Sequence, residues 1–511
     1  MLKFFKKYHK WLGIIASLFL LVFSISGIIL NHRSFFSPID VDRKWMPKEY
    51  QYQNWNNAAV RSAIDISPDS VLIYGNIGVW LSDSTLKSFS DFSKGFSKGI
   101  DNKKICKIFK DSKGRILAGS LFGLYQLDIN THEWHKIPLP PSIHNPRIVD
   151  IVEKGNEIWL LTRSEIIKTT DLKQFSVLVL PPPENYDHKI GLFKTLWVIH
   201  SGEIYGFVGK ILVDIIGLIF IFLTLTGLFY FFNKERLKRG RVKQVQNLQK
   251  RNRFYLKWHN KIGWISVVFL IIITITGMFL RPPLLIAITE AKVSKIPYSH
   301  LDTPNPWFDR LRRIYFDETK NRLIVVAVDG VYYSDDNLSS DLKLFSSQPP
   351  LSVMGVNAFE AVGENQFLVG SFVGLFLWNS ETGEVYDYIE KKPYIKPKTQ
   401  GPPIGDHVIA GYFKNQSGKD FIFDFGQGLL DQKLMAKMSE KVLKAAPISL
   451  WNTAIEYHTG RIYSIFIGNF YILIVPIIGL MNLFIMISGF IVWWKRYRNK
   501  SLSVNQTDYL P

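Results

Sequence analysis

Four stretches of the chain are apolar for long enough to leave no room for a polar face. They run over 8–30, 208–232, 258–280 and 462–494, each interrupted by few polar residues. Crossing a hydrocarbon layer of about 30 Å takes roughly 20 helical residues, so each predicts a transmembrane helix. The first and third say the same phrase. With an offset of 250, His9 falls on His259, Gly13 on Gly263 and Ser26-Gly27 on Thr276-Gly277. The second and fourth are introduced by a second shared phrase, His200-Ser-Gly-Glu-Ile-Tyr and His458-Thr-Gly-Arg-Ile-Tyr, and close on Thr226-Gly227 and Ser488-Gly489. From the histidine to that glycine is 27 residues in one copy and 31 in the other, so the fourth helix holds an insertion or a different local pitch. The unit of helix, connection, histidine phrase and helix occurs twice, a parallel repeat that predicts a pseudo-twofold axis along the membrane normal.

The two long connections alternate with a different period. VLIYGNIGVWLSD (71–83), RILAGSLFGLYQLD (115–128), EIWLLTRSEIIKTTD (157–171), RLIVVAVDGVYYSD (322–335) and QFLVGSFVGLFLWN (366–379) share a β-branched run, a turn and a second apolar run. Aligning Gly78, Gly123, Glu165, Gly330 and Gly374 gives spacings of 45, 42 and 44, the period of four-stranded propeller blades. DFIFDFGQGLLD (420–431) reads as a sixth, degenerate copy. The fold class expected is a membrane α-helical protein of four helices, duplicated 2+2, with an all-β, propeller-like extracytoplasmic head. Two separate small sheets are the alternative. The expected boundaries are helix 1 within 1–32, a β segment over 33–199, helix 2 over 200–232, a basic loop over 233–257, helix 3 over 258–280, a second β segment over 281–457, helix 4 over 458–495 and a tail over 496–511.

Charge orients this arrangement. The formal net charge is +19, and nearly all of it sits in three short stretches. Residues 1–10 hold four Lys, 233–257 hold ten Lys or Arg against Glu235, and 495–500 hold four more. Short basic loops stay in the cytoplasm, so both termini and the basic loop are expected there, with the β segments in the periplasm of a bacterium and the helices in its inner membrane. Basic residues flanking membrane helices are accounted for by topology and lipid headgroups, and no nucleic-acid partner is implied. Lys3, Lys6 and Lys7 resemble a signal-peptide n-region, but the apolar run is too long and lacks a small-residue cleavage site. A retained anchor is expected. Cys106 is the single cysteine, so no internal disulfide forms, and no CxxCH is present for covalent c-type haem.

Histidine carries the candidate chemistry. Of the eleven in the chain, His9 and His259 open helices 1 and 3 while His200 and His458 precede helices 2 and 4. Around a twofold axis, His9 would face His259 and His200 would face His458. Two facing imidazoles are what axial ligation of a b-type haem needs. A single histidine at a helix end is most often a solvated polar residue, and it is the symmetric recurrence that favours ligation. His32 follows helix 1, has no counterpart at the Arg281-Pro282-Pro283 turn, and is either a fifth candidate ligand in place of His200 or His458 or a residue without a role. From His9 to His32 is about 34 Å along a helix, a wide gap between two redox groups. Asp214 and Asn482 are polar residues inside apolar runs and count as functional candidates. His132 and His135 make only a weak metal-site pattern. No HExxH, GxSxG, Walker loop or GxGxxG occurs, so electrons from a dinucleotide or flavin would need a separate cytoplasmic donor.

On the phrases Tyr8-His9-Lys10-Trp11-Leu12-Gly13, His200-Ser-Gly, Trp258-His259 and His458-Thr-Gly, with Ser/Thr-Gly closing each helix, the chain resembles the PepSY-associated transmembrane helix family. The resemblance covers the four helices, roughly a quarter of the chain. It implies an inner-membrane protein similar to di-haem reductases that release iron from ferric siderophores, with His9, His200, His259 and His458 as haem-iron ligands and one or two b-type haems. Members of that family commonly carry PepSY modules outside the membrane, whereas these segments read as blade-like repeats, so the acceptor, a periplasmic ferric chelate or an envelope protein, stays open. The competing expectation is a non-enzymatic sensor or scaffold whose helices anchor a β-domain that binds an envelope ligand or protein.

Overall fold

The computed structural model describes residues 1–141, 143, 146–240, 244–352, 355–396 and 405–507, with side chains to 496 in the last helix. His144 and the last four residues of the expected tail lie outside the described residues, and so does 241–243 of the basic loop. The chain divides into a helical unit (1–36, 188–302 and 450–511) and a β unit (37–187 and 303–449). The β unit is thus shorter at its ends than the sequence reading of 33–199 and 281–457.

Four long helices dominate the helical unit: α1 (Leu2–Asn31), α3 (Gly206–Lys238), α4 (Val245–Phe279) and α6 (Ile474–Thr507). All four are long and apolar enough to cross a membrane. Two short helices, α2 (Leu192–Ser201) and α5 (Leu450–His458), precede α3 and α6. Helices α1 and α4 each pack against both α3 and α6. The exposed surface of the bundle is rich in large apolar side chains such as Leu18, Leu218, Val268 and Leu480, as a lipid-facing surface requires. Most of the expected basic loop is helical, because α3 continues to Lys238 and α4 begins at Val245.

His200 and His458 do not stand on the membrane helices that follow them. Each ends its own short helix, and the glycine of the histidine phrase explains why. Gly202 caps α2 at φ +78 and Gly460 follows α5 at φ +75, left-handed conformations that glycine adopts without penalty. A Cβ on Gly202 would also lie 2.2 Å from Gly209 O. After the phrase the chain turns on Gly206 (φ 59, ψ −136) in one copy and on Gly468 (φ 54, ψ −139) in the other. These are the same conformation, so the difference between 27 and 31 residues is the four-residue helical turn Ser464–Ile467 inserted before Gly468. Two anchors hold the short helices. Trp451 Nε1 donates to Leu30 O at 3.0 Å and seats α5 on α1. Strand Lys189–Gly191 pairs with Lys292–Ser294 and leads α2 in beside α4.

Among the described residues, the β unit holds six antiparallel sheets of three or more strands in simple up-and-down order, over 62–91, 105–137, 150–178, 311–344, 356–393 and 409–429, and a two-stranded pair of Asp40–Val41 with Ile448–Ser449. The first five have four or five strands and the last has three. Both faces of each sheet are covered, so neighbouring residues of one strand enter different cores. Val71, Ile73 and Trp80 of sheet 1 pack with Phe413, Phe421 and Phe423 of sheet 6, whereas Leu72, Tyr74 and Val79 pack with Ile105, Ile108 and Trp134 of sheet 2. Further cores join sheets 2 and 3 (Leu117 with Ile158), 3 and 4 (Trp159 with Val325), 4 and 5 (Val326 with Phe367) and 5 and 6 (Leu368 with Ile409). The first strand of each sheet also contacts the first strand of the next. Three sheets come from each connection, and the degenerate copy at 420–431 supplies the last two strands of the sixth.

Candidate haem-ligand pairs of the helical unit

Each of the four histidines is received by the same local structure on a long helix. His458 Nδ1 donates to Phe23 O at 3.0 Å and to Ser26 Oγ at 3.0 Å. His259 Nδ1 reaches Leu223 O and Thr226 Oγ1, both at 3.1 Å. His200 Nδ1 reaches Ile273 O at 3.0 Å and Thr276 Oγ1 at 3.2 Å, and His9 Nδ1 reaches Ile485 O at 2.9 Å and Ser488 Oγ at 3.3 Å. The carbonyl always lies three residues before the hydroxyl, and a glycine always follows it. That glycine is the floor on which the ring rests. A Cβ on Gly27, Gly227, Gly277 or Gly489 would stand 3.3, 3.4, 2.7 or 2.9 Å from Cε1 of His458, His259, His200 or His9 respectively.

The hydroxyls are committed to their own helices. Ser26 Oγ donates to Val22 O at 2.6 Å, Thr226 Oγ1 to Phe222 O at 2.7 Å, Thr276 Oγ1 to Ile272 O at 2.8 Å and Ser488 Oγ to Ile485 O at 3.0 Å. With that proton spent, the oxygen is left to accept. A backbone carbonyl can only accept, so in all four rings the proton belongs on Nδ1 and the lone pair on Nε2. No hydrogen bond to any of the four Nε2 atoms occurs among the described residues.

The rings meet in pairs. His9 faces His259 with ring centres 6.2 Å apart, and His200 faces His458 at 6.1 Å. All four side chains are half-buried. An iron that takes one imidazole nitrogen from each side at about 2 Å sets the ring centres roughly 6 Å apart, so both pairs suit a bis-imidazole haem. Among the described residues no group of three or more His, Cys, Asp or Glu could hold a bare metal ion.

Every ring is received by the opposite half of the chain. His9 on α1 docks on α6 and His458 on α5 docks on α1, while His259 on α4 docks on α3 and His200 on α2 docks on α4. The pairs lie toward opposite ends of the bundle. Seventeen residues separate His9 from Ser26, and seventeen separate His259 from Thr276, about 26 Å of helix. The roughly 34 Å from His9 to His32 is therefore not the separation of the pairs, because the second pair is seated before the helix ends, at Ser26 of α1 and Thr276 of α4.

His32 belongs to neither pair. Its Nε2 contacts Asp214 Oδ2 at 2.5 Å, and Asn31 Nδ2 donates to Asp214 Oδ1 at 3.1 Å, which ties the end of α1 to α3. That contact engages one of the two ring nitrogens of His32. Asp214 thereby takes a structural role. Asn482 Nδ2 donates to Thr274 Oγ1 at 2.9 Å and links α6 to α4 between the two pairs.

The model of the PepSY-associated TM region matches the chain twice, over residues 2–234 and 184–496. The chain belongs to this family. The two matches overlap over 184–234, so the first runs from α1 through α3 and the second from α2 through α6. Among curated proteins none matches the chain. Solved structures that match it include the extracellular domain of BT4673, described as a one-component system of B. thetaiotaomicron, at 10% identity and a TM-score of 0.34, over 74% of this chain and 40% of that one. Another is PorZ, a surface component of the type-IX secretion system of Porphyromonas gingivalis, at 10% identity and a TM-score of 0.33, over 76% of this chain and 40% of that one. The chain spans about two-fifths of the length of these structures. Scores this low carry no argument about fold or function.

Proposed function

We propose that the chain is a membrane electron carrier that holds two b-type haems, one at each histidine pair, and passes electrons from a cytoplasmic donor to a periplasmic acceptor. The observation that carries the proposal is the fourfold receptor. Each Nδ1 is held by a carbonyl and a hydroxyl, each Nε2 is left with its lone pair, and the rings face one another at 6.2 and 6.1 Å. Bound haem would supply one-electron redox chemistry. The protein's own part is to fix ring orientation and tautomer, to raise the basicity of the ligand nitrogen through the Nδ1 hydrogen bonds, and to keep water out with apolar helices.

The distribution of Lys and Arg supports placing His9 and His259 toward the cytoplasm and His200 and His458 toward the periplasm of a bacterial inner membrane. The β unit would then be periplasmic. Its six sheets, with a core between each successive two and between the last and the first, read as a six-bladed propeller. A ferric chelate is the acceptor class that the resemblance of the helical phrases suggests, and reduction would then be outer-sphere, with no acid or base required.

The test is an optical spectrum of the detergent-purified protein, oxidised and dithionite-reduced, with haem counted as its pyridine complex in the parent, His9→Ala and His458→Ala. Two b-type haems per chain, one lost in each variant, is the expected result. A colourless parent from haem-replete cells would sink the proposal and leave the helices as an anchor for a ligand-binding β unit.

A further inference from the structure

The four receptors repeat between the copies, but the side chains just beyond the His200/His458 pair do not. The second copy carries Arg281 and Arg461, and the same positions of the first copy carry Asn31 and Glu203. Asn31 donates to Asp214 at 3.1 Å and Glu203 pairs with Lys210 at 3.0 Å. Two arginines thus stand where the twofold repeat supplies no counterpart.

Each arginine stands beside one ring of the pair. Arg281 follows Gly277, the floor of the His200 ring, by four residues. Leu280 N and Arg281 N donate to Gly277 O and Met278 O at 3.2 and 3.3 Å, so the Arg281 side chain leaves the chain one turn beyond that floor. Arg461 follows His458 by three residues, past the left-handed Gly460. The turn that precedes α6 joins the two. A Cβ on Gly460 would stand 3.7 Å from Tyr471 O, and the Tyr471 hydroxyl lies against the Arg281 guanidinium. The charge of Arg281 is felt at Arg461, at Glu456 and at the His458 ring.

These two cations share an acid. Arg461 Nη2 donates to Glu456 Oε1 at 2.6 Å, and the same buried carboxylate acts on Arg281. Nε of Arg281 and Nε of Arg461 are both buried with no hydrogen-bond partner among the described residues. Burial, and after it Arg461, holds Arg281 below the ordinary arginine range. A guanidinium so placed is stabilised by a further anion, and its planar fork of N–H donors matches a carboxylate. A haem brings carboxylates, and brings them on one side, because both propionates leave the same edge of the macrocycle. Two imidazoles related by a twofold axis do not distinguish one edge from the other, whereas arginines present in a single copy do. We propose that Arg281 and Arg461 hold the propionates of the haem at the His200/His458 pair and so fix which way round it sits. This inference rests on the haem reading, and its test separates the two.

Potentiometric titration and resonance Raman spectra of the full-length protein in detergent test this, in a His9→Ala background that leaves the His200/His458 haem. A parent without haem overturns the haem reading and this inference with it. With haem present, Arg281→Gln and Arg461→Gln should keep a b-type spectrum and shift the propionate bending band. Each should also lower the midpoint potential, because a positive charge beside the ring favours the ferrous state. The expected size is a tenfold change in the ratio of reduced to oxidised haem, about 59 mV for a one-electron couple. Arg281→Lys keeps the charge and loses the fork, so its midpoint should stay near the parent's while the band moves. Parent midpoint and parent band in both glutamine variants overturn the inference and leave the haem reading standing. A lowered midpoint with the parent band also overturns it, since the arginines would then act as a field without touching a propionate. If a glutamine variant loses its haem, Arg281→Lys decides, and a parent band there counts against the site.

Discussion

Replacing a glycine that receives a ring tests the haem proposal without touching a ligand. The His200/His458 pair rests on Gly277 and Gly27, and the two are unequal. A Cβ on Gly277 would stand 2.7 Å from His200 Cε1, whereas one on Gly27 would stand 3.3 Å from His458 Cε1. Non-bonded carbons sit comfortably at about 3.5–4.0 Å, so Gly277→Ala must displace its ring by roughly 0.8 Å or more while Gly27→Ala asks for a few tenths of an ångström. Metal–ligand distances tolerate shifts of about 0.2 Å. Overpacking of this kind costs about 1–3 kcal/mol, which weakens binding at that pair roughly 5- to 150-fold. The other pair repeats the contrast, at 2.9 Å for Gly489 against His9 and 3.4 Å for Gly227 against His259. Haem counted per purified chain should therefore fall toward one in Gly277→Ala and in Gly489→Ala, and stay near two in Gly27→Ala and Gly227→Ala. The reasoning fails if all four alanine variants keep two haems with parent spectra. It fails equally if Gly27→Ala loses as much as Gly277→Ala, because the rings would then not rest where the structure has them.

Three further perturbations bear on neighbouring claims. Thr276→Val removes the hydroxyl that accepts from His200 Nδ1 and leaves the carbonyl, so about 1 kcal/mol of hydrogen bonding is lost; potentiometric titration should show the midpoint of one haem rise by at most roughly 40 mV while the other stays, and an unchanged midpoint would mean that the hydroxyl does not tune the ligand. His32→Ala should keep both haems and parent spectra, since its Nε2 is engaged by Asp214, and loss of a haem in that variant would restore it as a ligand. Phe421→Ala empties a position in the core between sheets 6 and 1, where the ring is 2% exposed and stacks on Phe413 at 4.5 Å; a loss of about 3–5 kcal/mol should appear as a lowered melting temperature of the full chain, and an unshifted melt would argue that those two sheets do not pack.

What could be read from the sequence was the repetition, and what could not was the partner of each repeated element. Long apolar runs give four membrane helices because length and hydropathy suffice for that inference. The aligned turns at Gly78, Gly123, Gly330 and Gly374 give the sheets, since each turn joins the second and third strands of one sheet. The pairing of His9 with His259 and of His200 with His458 followed from symmetry alone. The short helices α2 and α5 escaped notice because His200 and His458 directly precede apolar runs, and only the glycine two residues after each histidine marked a helix end. The contact of His32 was hidden for the opposite reason: its position near a helix end looks like that of a ligand, and its carboxylate partner is 182 residues away. The receptor itself left a trace in the four Ser/Thr-Gly pairs. The third member, a backbone carbonyl three residues earlier, has no side-chain signature.

The exchange between halves explains why both copies must keep the same parts. Had each histidine docked within its own half, one copy could have drifted to a plain anchor while the other still held its rings. Instead Ser26 and Gly27 of the first copy serve His458 of the second, Thr276 and Gly277 of the second serve His200 of the first, and the His9/His259 pair is crossed in the same way. A change in either copy's receptor therefore misplaces the other copy's histidine, and with it a pair to which both contribute. The four-residue insertion Ser464–Ile467 fits this constraint. It falls after His458 and Gly460 and before Gly468 restores the turn that Gly206 makes in the first copy. The two copies can thus differ in the length of a connection while ring, carbonyl, hydroxyl and glycine keep their relation at all four positions.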